Sequence, residues 1–530
     1  MPLLKSRAFG NGVLLALWLG AVGLLAAQHV FWRDEVRALT IATTGDTVSE
    51  MFLALRGDGH PMLWYLLLRS GYALIGKAAL PVISWLIGLA AVVLLIWRAP
   101  LSWGMRLLIV FGHFALWEYV VMARNYGISM LLMFVFAAAY PRWRLRGIWL
   151  VLPLALLANT NVHSMLLSWL LLGVWLLERW PRGGGRAEVR DWALRLVLPA
   201  GGILALASLA CFLTVWPPFN DAAQGAGGHN LLRAIAAVGL PGIGFMLDAD
   251  AGLWIQLPFS AALLASLFVL WGRPLHFLAA LAGLCGMSLF FAVIYPGGER
   301  HQALWLVLLL TLWWMRLDAD RRDGVDEPAK GRDAVLRKAG HYGLVALLLR
   351  QILLTFAEVA ASFHAPYSRA ADLGALIAQR PELSRAIIIA DPDYLIEALP
   401  YYAPHNLVWQ IRRARFGAVN HFTKNAQLDI TLDQVTQTAE ALHRQYHRPV
   451  LILLQHAPDA CCTATIASGY NWTTHHTPEM ARRFLERTRM LARYDSAVTD
   501  ESYAVYLLNI DSNPPALPMG QQARGEVKLP

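Results

Sequence analysis

Two adjacent carboxylates, Asp34 and Glu35, follow the first long apolar run, in the segment Phe31-Trp32-Arg33-Asp34-Glu35. Charge this close to an apolar run of membrane-spanning length is costly and rarely without a function. Because a carboxylate can accept the proton of a hydroxyl nucleophile, the pair predicts general-base chemistry. The alternative is that both residues cap a helix that begins near Val36, where acidic side chains are favourable.

Composition defines the class of protein in which this chemistry would occur. Hydrophobic residues make up 57% of the 530 residues and charged residues only 15%, which excludes an ordinary soluble globular protein. The net charge of +9 lies in short loops between apolar runs, which indicates membrane topology rather than nucleic-acid binding. Cys461 and Cys462 are adjacent, and Cys211 and Cys285 lie in apolar runs, so no ordinary disulfide framework is predicted.

The chain contains about eleven apolar runs that approach the length of about 20 residues needed to span a membrane. They are 11–30, 80–97, 104–122, 127–141, 147–162, 164–180, 192–215, 252–271, 275–295, 301–316 and 340–358. The first could instead be a cleaved signal peptide, but its apolar run is long and Ala26-Ala27-Gln28 is a weak cleavage site. We therefore expect a polytopic α-helical membrane domain over residues 1–358.

The distribution of Lys and Arg orients the chain, because both favour cytoplasmic loops. Placing Lys5 and Arg7 inside also puts the other basic clusters inside, provided that the segment 61–76 does not cross the membrane. We therefore assign residues 31–79 to an outer loop with interfacial helices. A true crossing by 61–76 is the alternative.

This topology collects polar residues at the outer ends of the spans, where they could line one cavity. Charged groups next to lipid suit a ligand with an anionic head and an apolar tail, such as a lipid phosphate. We expect Asp58, His60, Asn125 and His163 to line that cavity. The complete set is Asp34, Glu35, Asp58, His60, Arg124, Asn125, Tyr126, Asn159, Asn161, His163, Glu299, Arg300 and His301.

Beyond Phe363 the pattern changes to alternating helix-like and strand-like segments, which predicts a soluble α/β domain over residues 359–512. The helix-like segments are 370–379, 432–446 and 478–489, and the strand-like segments are 386–390, 450–454 and 503–508. An odd number of spans places this domain outside the cytoplasm. The tail 513–530 has no periodicity and is predicted to be disordered.

Three short motifs resemble those of GT-C-type glycosyltransferases when taken in this order and spacing. They are Asp34-Glu35, Gly59-His60-Pro61-Met62-Leu63-Trp64-Tyr65-Leu66-Leu67-Leu68 and Ala123-Arg124-Asn125-Tyr126-Gly127. Within that superfamily the chain resembles the glycosyltransferase family 39-like branch, with the protein mannosyltransferases and aminoarabinose transferases. The resemblance covers roughly the first 180 residues well, the later spans in outline and the C-terminal domain not at all.

This resemblance implies transfer of a sugar from a polyprenyl-phosphate carrier at the outer face of the bacterial inner membrane. We expect Asp34 to be the general base, with Glu35 orienting the site or helping to hold a cation. Cationic and hydrogen-bonding groups should stabilise the donor phosphate as it leaves. The residues expected to bind that phosphate are Arg124, Tyr126, Arg300 and His301. For the two arginines, snorkelling to the membrane interface is the alternative.

His60 is the leading candidate ligand for a divalent metal ion, because imidazole and carboxylate ligands suit zinc and several other metals. Asp58 or Glu35 could complete such a site, whereas His60, His163 and His301 show no metal-ligand spacing among themselves. The alternative is an isolated, hydrogen-bonded interfacial histidine.

We therefore expect an inverting membrane glycosyltransferase in contact with membrane lipids and without a nucleic-acid partner. Its donor would be a polyprenyl-phosphate sugar, and its acceptor an envelope glycan, a lipid such as lipid A, or a protein. A transporter or flippase of lipid-linked glycans is one alternative, although transporters often have repeated halves and need no large outer domain. A non-catalytic envelope assembly protein is the other, but it leaves Asp34, Arg124 and His60 without a role.

The Lys and Arg distribution predicts that the C-terminal domain lies outside the cytoplasm. A reporter enzyme that works only outside the cytoplasm should therefore be active when it is fused after Ser362. A reporter that works only in the cytoplasm should be inactive at the same position. The reverse pattern would contradict the predicted orientation and the shared outer cavity with it.

Overall fold

The computed structural model describes residues 2–181, 183–216, 231–245, 252–295, 297–324, 330–469 and 471–509. Within these ranges a helical bundle is followed by a smaller α/β domain. The tail 513–530, predicted to be disordered, lies outside the described residues. The predicted fold class, a polytopic helical membrane protein with a C-terminal α/β domain, is confirmed.

Seventeen helices form the N-terminal part of the described chain. They are α1 (Pro2–Gln28), α2 (Arg33–Ala42), α3 (Val48–Leu55), α4 (Leu63–Ile75), α5 (Ala79–Arg98), α6 (Trp103–Val110), α7 (Tyr126–Trp143), α8 (Val151–Ala158), α9 (Val162–Glu178), α10 (Arg186–Trp192), α11 (Leu198–Val215), α12 (Leu231–Gly239), α13 (Gly242–Phe245), α14 (Leu253–Ser266), α15 (Pro274–Val293), α16 (Glu299–Arg322) and α17 (Gly331–His364). A π-helical segment, Phe114–Val121, precedes α7.

Seven helical stretches among the described residues are long and apolar enough to cross a membrane. They are Ala8–Gln28, Leu63–Arg98, Trp103–Val121, Arg186–Val215, Leu253–Leu270, Pro274–Val293 and Gly331–His364. Four of the eleven predicted spans correspond instead to α7, α8, α9 and α16, which are shorter or carry polar residues at an end. Helix α16 is buried almost all round over residues 302–316, so its apolar sequence reflects the interior of the bundle.

The chain reverses direction between α4 and α5, and α4 packs back against α5. Gly76 provides the turn with φ +59°, a left-handed conformation that favours glycine. At one end of α4, the backbone N–H of Leu63 donates to Asn159 O at 3.3 Å. Just past its other end, Lys77 Nζ donates to Tyr401 O of the C-terminal domain at 3.0 Å. One end of α4 is therefore held to the bundle and the residue after its other end to the C-terminal domain. The interfacial position of α4 in a membrane stays a prediction.

The described residues of the C-terminal domain form four α-helices, two short 3-10 helices and nine strands in two sheets. The helices are α18 (Ala370–Gln379), α19 (Leu399–Tyr402), α20 (Leu432–Tyr446) and α21 (Pro478–Arg487). The strands are β1 (Ile387–Asp391), β2 (Leu407–Gln410), β3 (Arg415–Phe416), β4 (Asp429–Thr431), β5 (Val450–Leu454), β6 (Ala464–Ser468), β7 (Trp472–His476), β8 (Thr488–Tyr494) and β9 (Tyr503–Leu508). The predicted helix 432–446 and the predicted strands 450–454 and 503–508 coincide with α20, β5 and β9.

The larger sheet has the strand order β3-β2-β1-β5-β9-β8, and the smaller has the order β4-β7-β6. β1 pairs in parallel with β2 and β5, whereas β9 pairs antiparallel with β5 and β8. All five residues of β1 and of β5 are buried. Apolar clusters cover both faces of this sheet, which explains why its central strands are continuous apolar runs rather than alternating ones.

Candidate active site

Helix α2 carries both acidic residues in its first turn, where carboxylates interact favourably with the helix dipole. Their side chains nevertheless diverge: that of Asp34 is 33% exposed, whereas that of Glu35 is fully buried. Two neighbouring carboxylates therefore have different surroundings and different roles.

Glu35 connects three backbone and side-chain donors inside the protein. One carboxylate oxygen accepts the backbone N–H of Ala123 at 2.6 Å, and the other accepts the backbone N–H of Trp32 at 3.2 Å. His29 Nε2 donates to the same carboxylate at 2.9 and 3.0 Å. One oxygen thus holds α2 against the residue before Arg124, and the other caps the start of α2 at Trp32. This geometry favours a positioning role over the catalytic role in which the sequence prediction grouped Glu35 with Asp34.

Asp34 faces two arginines from distant parts of the chain. The guanidinium of Arg124 donates a hydrogen bond to its carboxylate, and Arg300 Nη1 lies 4.0 Å away. Burial alone would raise the pKa of Asp34, but the charges of Arg124, Arg33 and Arg300 outweigh that effect and lower the pKa to about 2. Asp34 is therefore ionised at neutral pH and can accept a proton.

Arg300 reaches the site from the first turn of α16 and also contacts a carboxylate that the sequence analysis missed. Its Nε lies 3.7 Å from Glu118 Oε2, and His113 Nε2 lies 3.7 Å from the other oxygen of Glu118. The Arg300 carbonyl accepts the hydroxyl of Tyr119 at 2.6 Å, which ties α16 to the π-helical segment. A lone glutamate inside an apolar run was the available signal, because such charges usually have a function.

Tyr126 and His301 form a hydrogen-bonded pair beside Arg124. His301 Nδ1 accepts the backbone N–H of Gly298 at 2.9 Å, so a neutral ring carries its proton on Nε2. That nitrogen lies 2.8 Å from the Tyr126 hydroxyl, which then accepts from it. The Tyr126 hydroxyl proton is left free to be donated elsewhere. The Arg124 guanidinium lies 5.9 Å from the centre of the Tyr126 ring.

His60 and Asp58 also lie close to Arg124. His60 Nε2 is 3.3 Å from Arg124 Nη2, and its Nδ1 is 3.4 Å from Asp58. Asp58 also accepts Arg37 Nε at 2.6 Å and the Tyr65 hydroxyl. The guanidinium of Arg124 occupies one nitrogen of His60, and Asp58 already accepts from Arg37 and Tyr65. This arrangement does not fit a divalent metal ion. Metal binding by His60 stays a prediction.

Asn125 and His163 are more deeply buried than His60 and Asp58, at 2% and 6% exposure. The amide nitrogen of Asn125 donates to Thr160 O, which ties α7 to the turn before α9. The ring of His163 lies 5.0 Å from that of His301, and neither of its nitrogens has a hydrogen-bond partner in the described part of the chain. Asn125 thus contacts Thr160 and His163 contacts His301, rather than Asp34.

The C-terminal domain holds α2 through two further arginines. Arg33 donates its backbone N–H to Glu501 at 2.8 Å, and its guanidinium hydrogen-bonds Asp500. Arg37 hydrogen-bonds Glu397 and donates to Asn420 O at 2.9 Å. We call this set of contacts the α2 clamp. Sequence analysis missed it, because ion pairs between residues more than 350 positions apart leave no local pattern.

These observations define a polytopic helical membrane protein with a buried acidic and cationic site between its bundle and its α/β domain. No family model and no curated protein matches the chain.

Two solved structures are similar to this one, both of ArnT from Cupriavidus metallidurans. The apo structure is 16% identical with a TM-score of 0.40 and covers 96% of this chain and 98% of that one. The structure bound to undecaprenyl phosphate is 14% identical with a TM-score of 0.39 and covers 95% of this chain and 99% of that one. ArnT is an aminoarabinose transferase, which belongs to the branch that the sequence motifs resemble. At these values the similarity assigns neither a substrate nor residue roles to this chain.

The α2 clamp predicts that Arg37→Gln destabilises the protein by about 3–5 kcal/mol, because it leaves the buried carboxylates of Asp58 and Glu397 without a cation. Thermal unfolding of the purified protein in detergent would measure the loss. The matched control is Arg56→Gln in the same loop, where the arginine is exposed and the expected change is within about 0.5 kcal/mol. Equal unfolding temperatures for the two variants would contradict a structural role for the clamp.

Proposed function

We propose that the protein is a membrane glycosyltransferase that moves a sugar from a polyprenyl-phosphate donor to an envelope glycan, lipid or protein, with inversion. The proposed site faces outward at the inner membrane of a bacterium. One observation carries the proposal: the ionised carboxylate of Asp34 lies next to the guanidinium groups of Arg124 and Arg300. A proton acceptor and a binding site for an anionic leaving group are thus within a few ångströms of each other.

Asp34 would act on the acceptor. A hydroxyl must lose its proton as its oxygen attacks the anomeric carbon, and a carboxylate within hydrogen-bond reach can take that proton. Asp34 is the better placed of the two α2 carboxylates, because its side chain is partly exposed whereas both oxygens of Glu35 are engaged.

Arg124 and Arg300 would act on the donor. As the bond between the anomeric carbon and the phosphate oxygen breaks, the phosphate keeps the electron pair and its negative charge increases. Guanidinium groups bind phosphate oxygens through charge-assisted, often bidentate hydrogen bonds. The free hydroxyl proton of Tyr126, which follows from its pairing with His301, offers a further donor to the same anion.

Donor binding would also make Asp34 a stronger base. In the structure its pKa is about 2, so it is ionised but accepts protons poorly. A phosphate that competes for Arg124 and Arg300 would withdraw positive charge from Asp34, and burial would then raise its pKa. The carboxylate would become an effective base only when a donor is present, which protects the donor from transfer to water.

Direct assay of transfer tests the proposal as a whole. The purified full chain is incubated with polyprenyl-phosphate sugars and candidate envelope acceptors, and the glycosylated acceptor and released polyprenyl phosphate are quantified. Equal amounts of the two products are expected. Movement of intact donor across vesicles, without release of polyprenyl phosphate from any donor, would favour a flippase and overturn the proposal.

Asp34→Asn should reduce transfer by about 10²–10⁴-fold while the protein stays folded and inserted, because the amide has nearly the shape of the carboxylate but cannot accept a proton. Initial rates and thermal unfolding would be measured together. Asp46→Asn, at an exposed aspartate of the same loop, is the matched control and should keep normal rates. Near-normal turnover of well-folded Asp34→Asn would remove Asp34 from the proposed role.

Arg124→Ala should weaken transition-state stabilisation by about 2–4 kcal/mol through loss of a charge-assisted bond to phosphate, and lysine should restore only part of it. The same change removes a cation from Asp34 and so raises its pKa from about 2. Since transfer needs the ionised carboxylate, the acidic limb of kcat/KM should move to higher pH. Rates from Arg124→Ala that match the wild type at all pH values would exclude both effects.

A further inference from the structure

A second cluster of chemically reactive side chains lies in the C-terminal domain, at the carboxyl ends of β1 and β5. These strands are parallel neighbours, with β2 on the other side of β1. The chain leaves β1 toward β2, while β5 lies on the opposite side of β1. The gap between the ends of β1 and β5 is therefore a point where the strand order reverses, and open α/β sheets bind ligands at such points.

Three potential metal ligands follow β5 in the loop 455–463. Asp459, Cys461 and Cys462 each offer one ligand atom, and these atoms lie within 4.8 Å of one another. It is the one such group of three found among the described residues. Asp459 accepts the backbone N–H of Cys461 at 2.8 Å, and Cys461 Sγ lies 3.1 Å from the carboxylate and 2.7 Å from Cys462 Sγ.

His476 supplies a second and independent observation. It is 6% exposed, and its Nε2 has no hydrogen-bond partner within the described residues. The β6–β7 register pairs Ala464 with His476, which brings Cys462, two residues before Ala464, to the same end of this hairpin. A buried imidazole nitrogen without a partner is costly, so a ligand at this position would satisfy it.

His476 is outside the group of three whose ligand atoms lie within 4.8 Å of one another, so the loop must shift toward its imidazole to complete a site. It lines a small cavity of about 30 Å³ that also includes Pro458, the residue before Asp459. This volume holds an ion or one or two water molecules and excludes a sugar or a lipid. Asp391 in the same lining is paired with Arg412 at 3.0 Å, whereas His476 Nε2 has no partner among the described residues.

The chemistry of the loop fits a cation. Cysteine binds a metal ion as the thiolate, so a metal ion would displace the thiol protons of Cys461 and Cys462. The carboxylate of Asp459 offers a third, oxygen ligand beside them.

We propose that Asp459, Cys461, Cys462 and His476 bind one Zn²⁺ ion that fixes the loop 455–463 to the β6–β7 hairpin. Thiolate, imidazole and carboxylate are the ligands that zinc prefers, whereas Ca²⁺ and Mg²⁺ prefer oxygen ligands alone. Two sulfurs on one zinc lie about 3.7 Å apart, given Zn–S bonds of about 2.3 Å. The cysteine side chains must therefore separate by about 1 Å, which their exposure allows. This site is independent of the proposed transfer reaction.

Zinc stoichiometry of the full chain in detergent tests the proposal. The reduced protein is incubated with Zn²⁺ alone and freed of excess ion, and bound zinc is measured by mass spectrometry of the metal. We expect about one ion per chain in the wild type, none in Cys461→Ser/Cys462→Ser, and weaker binding in His476→Gln. The control Cys211→Ser/Cys285→Ser, which changes the two cysteines of the helical bundle, should bind as the wild type does.

Two results would overturn the proposal. One is equal zinc binding by the wild type and the Cys461→Ser/Cys462→Ser variant, which would place the ion elsewhere. The other is a wild-type chain that binds no zinc. If the thiols of this chain then resist alkylation until a reductant is added, Cys461 and Cys462 form a disulfide instead. Affinity that rises with pH, as thiol protons are displaced, would support the site.

Discussion

The contact between Asp34 and the guanidinium of Arg124 joins two segments that are 90 residues apart, and the geometry of the candidate site depends on it. The Arg124 side chain is only 11% exposed, and a guanidinium with so little access to water needs a nearby anion such as Asp34. Glu35 reinforces the contact by accepting the backbone N–H of Ala123, the residue before Arg124. The pair and this backbone bond together fix the distance between the proposed base and the proposed phosphate-binding group.

Helix α2 is the element on which these interactions converge. It has ten residues, too few for an isolated helix to be stable in water. Arg33 and Arg37 attach it to the C-terminal domain, while Asp34 and Glu35 attach it to the helical bundle. The basic residues of this short helix thus contact one part of the protein and its acidic residues the other. The C-terminal domain contributes to the site by holding α2 in position.

The same pairing that stabilises the site limits its reactivity. Three arginines keep Asp34 ionised, yet a carboxylate with a pKa of about 2 is a weak base. In the proposed reaction an anionic donor would resolve this conflict, because its binding to the arginines would leave the carboxylate more basic. The same side chains would then balance charge in the resting protein and transfer a proton when the donor is bound.

Sequence alone determined the membrane class and six of the C-terminal helices and strands, and it drew attention to Asp34, Arg124 and Arg300, which the structure brings together. Hydropathy and strand or helix periodicity are local properties, and β9 and α20 could therefore be predicted to within a residue. Only the tertiary structure separated Asp34 from Glu35, added Glu118 and revealed the α2 clamp. These features depend on burial and on ion pairs between residues that are far apart in the chain. Neither composition nor residue spacing predicts which distant residue will pair with a given charge.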